Sequence, residues 1–132
     1  MNALRELSLT APLSIRALGP DDIDAVVLLD GLHAGWDPRH GRGHSWQNVT
    51  AGPIAPTIEF ARQAMAGEKL FVFTYSEIDP VLYPSTSLTA QYLLQDLGVT
   101  MKPESKPVQQ FGLLGAVDVL GLHVWSYQGN DK

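Results

Sequence analysis

The chain has no cysteine, which excludes disulfide staples, thiolate catalysis and cysteine-based zinc centres. Positive charge is scarce as well. Nine lysines and arginines stand against fourteen acidic residues, for a formal net charge of −5. No basic cluster offsets this balance, so nucleic acid and anionic membrane surfaces are excluded as main partners. Long hydrophobic runs are missing too. No apolar stretch approaches the roughly 20 residues that span a bilayer. Arg5, Glu6 and Arg16 interrupt residues 1–20 before a signal-peptide core can form. These absences lead us to expect a soluble, cytoplasmic protein without a membrane partner. No glycine-rich phosphate loop or dinucleotide fingerprint occurs either, and no cofactor is expected.

What remains is globular. Hydrophobic residues make up 45% of the 132 positions and charged residues 17%, a composition that folds. The length suits a single α/β domain or domain fragment over 1–132. Such a chain buries roughly two thirds of the surface that its unfolded form exposes.

Apolar periodicity divides the chain into elements. N-A-L-R-E-L-S-L at 2–9 sets Ala3, Leu4 and Leu7 on one face of a short helix. The continuous run Ala25–Leu29, within 24–30, reads as a strand buried on both faces, as in parallel sheets. Residues 34–53 form a long loop rich in Gly, His, Trp and Pro, and loops of that length tend to serve function. Pro56, the stripe Ile58, Ala61 and Met65, and the stop at Gly67 predict a helix near 55–66. A second strand follows at 69–75. Ser85 or Thr86 caps a helix near 86–97 that Gly98 ends. Residues 100–110 read as a surface connection, and a third strand lies at 121–127.

Alternation of strand and helix predicts a three-layer α/β fold: a small parallel sheet of about three strands with covering helices. In such sheets ligands bind beyond the carboxyl ends of the strands. Those ends carry Asp30 and His33, then Ser76, Glu77 and Asp79, then Tyr127 with Asn130 and Asp131. Asp30, Glu77 and Asp79 are thus candidate acids, with turn formation as the competing role. His33 and Ser76 are candidate binding groups. Trp36 and Trp46 in the long loop either anchor a partner surface or pack the loop onto its own domain.

Two further patterns are set aside. His40 and His44 have the spacing of a zinc-binding pair on a helix, but Pro38, Gly41 and Gly43 oppose a helix there, so no metal is expected. G-H-S-W-Q at 43–47 half-matches the G-x-S-x-G nucleophile elbow, but Gln47 replaces the second glycine and no strand leads into it.

Taken together, V-V-L-L-D-G-L-H-A-G, L-F-V-F-T-Y-S-E-I-D-P and V-D-V-L-G-L-H-V-W-S-Y-Q-G-N-D-K resemble the later strands of an α/β-hydrolase, from about Asp24 to Lys132. The resemblance implies a serine esterase or lipase type of site. It maps the triad acid best to Glu77 or Asp79, with Asp30 as the rival. It finds no match for the nucleophile elbow or the terminal catalytic histidine, and His123 falls inside a strand. The chain is therefore expected to supply the acid and pocket loops of a site for a small ester, completed by other segments, and to be inactive alone. The alternative is a non-catalytic binding or structural module on the same scaffold. The first strand has no proline or lysine to protect an edge, so self-association or a partner chain extending the sheet is expected.

Overall fold

A computed structural model describes residues 20–39, 45–78, 82–105 and 112–129. The helix expected at 2–9 lies outside them, as do Asp79, His40, His44, Asn130 and Asp131. The elements are β1 (Ala25–Leu29), α1 (Ala55–Met65), β2 (Leu70–Ser76), α2 (Thr86–Leu97), β3 (Lys102–Pro103), β4 (Leu113–Val119) and β5 (Leu122–Tyr127).

The sheet has five strands in the order β1-β2-β5-β4-β3. The strands β1, β2 and β5 are adjacent and parallel, with Ala25 opposite Leu70 and Phe71 opposite Leu122. β4 then runs antiparallel to β5, and β3 antiparallel to β4. Among the described residues the fold is therefore a mixed five-stranded sheet with two α-helices, which corrects the expected three-layer, three-stranded parallel sheet. The excess strands come from 102–103 and 113–119. The first falls within the expected surface connection, and the second is joined to β5 by the tight turn at Leu120–Gly121.

That turn depends on local geometry. Leu120 takes a positive φ of 50°, a conformation that costs an ordinary L-residue roughly 1–2 kcal/mol. Gly121 sits so close to the chain that an added Cβ would lie 1.9 Å from the Lys69 carbonyl oxygen. Its N–H donates to Ala64 O, and its carbonyl accepts from Phe71 N. The glycine thus locks the hairpin onto the end of α1 and the start of β2.

The core forms on one face of the sheet. Phe71, Phe73, Val117, Leu122 and Val124 pack against Ile58, Phe60, Ala61 and Ala64 of α1 and Ala90, Leu93 and Leu94 of α2. The helix boundaries follow their caps. The Ser85 hydroxyl accepts from Leu88 N, and Gly98 at φ 69° closes the other end of α2. Among the described residues no helix covers the opposite face, where Val72, Thr74, His123 and Trp125 are half-buried. β1 is an edge strand rather than a doubly buried one, with Val27 58% and Leu29 74% exposed. An unbroken apolar run cannot distinguish these positions, because burial depends on neighbours that the run does not contain.

Candidate functional site

The carboxyl ends of β1 and β2 lie side by side, as expected for a parallel pair. Beyond Leu29 the backbone turns at Asp30, which takes a φ of 50°. Asparagine and aspartate tolerate this region better than most residues. The Asp30 N–H continues the ladder to Thr74 O at 3.2 Å and also reaches Thr74 Oγ1 at 3.0 Å.

The Asp30 carboxylate then crosses to β2 and α2. Its Oδ1 accepts from Thr86 Oγ1 at 2.6 Å, from Ser76 N at 3.1 Å and from Ser76 Oγ at 3.1 Å. Its Oδ2 is within 3.1 Å of the same Ser76 hydroxyl. Thr86 is the first residue of α2 and is buried. The positive end of a helix dipole favours a carboxylate placed there. Asp30 is thus fixed by a strand end and a helix start together.

A cavity of about 100 Å³ opens beside this cluster, lined by Asp30, His33, Ser76, Ile78, Tyr83 and Thr86. The His33 imidazole stands edge-on to Tyr83, with ring centroids 5.8 Å apart. No hydrogen bond joins His33 to Asp30 or Ser76 among the described residues. Of the sequence candidates, Asp30, His33 and Ser76 therefore come together. Glu77 follows Ser76 but is exposed and does not line the cavity.

The loop tryptophans lie apart from this cavity. Trp36 pairs through its backbone with Val49, and Asp37 N donates to Asn48 O at 2.7 Å. The Trp36 indole nitrogen is buried and has no hydrogen-bond partner among the described residues. Trp46 packs edge-on against Tyr92 of α2 and lines a second cavity of about 280 Å³ with Tyr75, Gln91, Gln95 and Met101. Burial pushes the Tyr75 phenol above its ordinary pKa, with Ser126 opposing the shift and Glu77 adding to it. Ser45 caps a short turn by accepting from Gln47 N, so it stands on no strand-to-helix elbow.

Sequence reasoning missed Thr86 and Tyr83. From sequence, Thr86 reads only as a helix cap. The available signal was its position: a helix that follows a parallel strand starts on the same sheet edge as the strand's end. Tyr83 had no signal beyond lying between the two.

Among the described residues no group of three or more His, Asp or Glu could hold a metal ion. No helix among them is long and apolar enough to cross a membrane. No family model, curated protein or solved structure matches the chain. The functional reading consequently rests on the site itself.

Proposed function

We propose that the chain supplies the acid and pocket loops of a serine-hydrolase site of esterase type, with Asp30 as the acid. A nucleophile and a histidine from other segments complete the site. The supporting observation is the anchoring of the Asp30 carboxylate. A triad acid must hold an imidazole in one tautomer and balance the imidazolium charge that forms during attack. That role needs one fixed oxygen and one with accepting capacity to spare. Oδ1 takes three donors, whereas Oδ2 only shares the Ser76 hydroxyl.

This choice favours Asp30, which lines the cavity, over Glu77, which does not. His33, Ile78 and Tyr83 would form the wall against which a small ester rests. A partner chain, or a second copy, would extend the sheet at the edge of β1 that pairs with no strand among the described residues. A cytoplasmic location belongs to the same reading, because a chain without cysteine needs no oxidising compartment. A non-catalytic binding module is the second reading. It is favoured by the Trp46 and Tyr75 cavity, whose described walls carry no charged side chain.

The test expresses the chain in frame with the coding sequence on either side and assays p-nitrophenyl acetate and butyrate. Hydrolysis is expected, with Asp30→Asn lowering kcat by about 10⁴-fold and Glu77→Gln leaving it unchanged. An active extended protein that is indifferent to Asp30→Asn would refute the assignment. An extended protein without hydrolysis would favour the binding module.

A further inference from the structure

The cavity of about 280 Å³ beside α2 is walled by groups that select a ligand by chemistry. Trp46 comes from the long loop, Tyr75 from β2, Gln91, Leu94 and Gln95 from α2, and Met101 from just before β3. Trp46 stands on a fixed platform. Its indole is edge-on to Tyr92 with ring centroids 6.4 Å apart, and Ser45 caps the turn that carries it. Gln91 and Gln95 are four residues apart on α2 and so share one face of the helix. Both are exposed, and neither side-chain amide has a hydrogen-bond partner among the described residues. Two uncommitted amides therefore border two aromatic rings.

Charge narrows the ligand class. No lysine or arginine lines the cavity, so a phosphate or carboxylate would find no counter-charge there. No aspartate or glutamate lines it either, which leaves a cation equally unpaired. Burial raises the Tyr75 pKa, so its phenol also stays neutral at physiological pH. The ligand is uncharged. Aromatic side chains bind flat rings by stacking, and the Met101 thioether adds a soft contact at a ring edge. A glutamine amide offers a donor beside an acceptor, which matches a nucleobase edge that carries one of each. Sites for drug-sized ligands run to roughly 300–1,000 Å³, so this cavity suits a single ring system.

We propose that the cavity binds an uncharged planar nitrogen heterocycle, a nucleobase free or as its nucleoside, stacked on Trp46 and hydrogen-bonded along its edge by Gln91 and Gln95. The site shares no lining residue with the Asp30 cavity. It does not depend on the esterase reading, and it gives the binding-module reading a ligand class.

The full chain is titrated with adenosine and, separately, uridine, followed by calorimetry and backbone amide shifts. At least one is expected to bind with a Kd below about 1 mM, with shifts centred on Trp46 and residues 91–101. Its 5′-monophosphate should bind more weakly. Trp46→Ala should weaken binding roughly 5- to 150-fold. Gln91→Leu with Gln95→Leu should weaken it about 10-fold or more and remove the preference over benzyl alcohol, a flat ring without the paired edge. No binding by the folded chain would overturn the proposal. Shifts centred on Asp30 and Tyr83, or binding indifferent to the glutamine double variant, would overturn it as well. Methyl glucoside binding more tightly than either nucleoside would overturn it in favour of a sugar. If Trp46→Ala fails to fold, the glutamine variant, altered only at exposed positions, decides by itself.

Discussion

Replacing Thr86 with valine removes one hydroxyl and almost no volume, which isolates the bond to Asp30. That bond is 2.6 Å long, and its acceptor is a carboxylate. Hydrogen bonds to charged groups contribute about 1.5–3 kcal/mol. The lower end applies here for two reasons. Oδ1 keeps the Ser76 N–H and hydroxyl, so it is not left unsatisfied, and Asp30 itself is exposed to water. The Ser76 carbonyl lies 3.3 Å from the same hydroxyl and adds little. We expect Thr86→Val to destabilise the fold by about 1–2 kcal/mol. Urea denaturation should show the midpoint falling with an unchanged slope, since the surface exposed on unfolding is the same. The control is Asp30→Asn, because asparagine also tolerates the positive φ at this position. In a double-mutant cycle the two substitutions should couple by on the order of 1 kcal/mol. Full additivity, with each single change near zero, would mean that the contact holds nothing in place. The anchored-acid argument would then fail.

Gly121→Ala should be among the most damaging single changes, since its Cβ would meet the Lys69 backbone at 1.9 Å. A loss above about 3 kcal/mol is expected in chemical denaturation, and a near-neutral result would mean that the β4–β5 turn is wrongly placed. The buried Tyr75 phenol, with its pKa raised in the folded state, contributes stability that is complete below the ordinary tyrosine pKa near 10. That contribution is lost as pH rises through the higher folded value, so Tyr75→Phe should flatten the alkaline fall in Tm above about pH 10. The chain by itself should not hydrolyse p-nitrophenyl esters; turnover abolished by Ser45→Ala would show that the turn at Ser45 works as a nucleophile.

The strands β1, β2 and β5 were legible because Val, Leu and aromatic residues concentrate in them, and the intervening 3.6-residue periodicity implies parallel crossovers. β4 was not. Its sequence, Leu-Leu-Gly-Ala-Val-Asp-Val, is irregular about Gly115, where the register with β5 shifts. A Cβ at Gly115 would sit 3.0 Å from the Lys102 carbonyl oxygen, so the glycine that blurs the strand pattern is what admits β3 beside it. The hairpin turn Leu120–Gly121 also lacks the Asn-Gly or Asp-Gly signature of two-residue turns. A leucine at positive φ is a tertiary outcome that local preference opposes.

The site divides along the same line. The rule that ligands gather at the carboxyl ends of parallel strands found Asp30, His33 and Ser76 from sequence. The hydrolase resemblance mapped the acid best to Glu77 or Asp79, with Asp30 as the rival; which strand-end side chain meets its neighbour depends on register, which the sequence does not carry. With Leu29 paired to Thr74, Asp30 follows one step beyond the ladder and its carboxylate meets Ser76 on the neighbouring strand. A slip of one residue would reverse which side chains face the cavity. At Asp30 the backbone leaves the ladder with a positive φ, and the carboxylate crosses to Ser76 and Thr86. Aspartate tolerates that φ, and Leu120 shares it in a hairpin turn, so the proposed acid role of Asp30 rests on the anchoring of its carboxylate and not on its backbone.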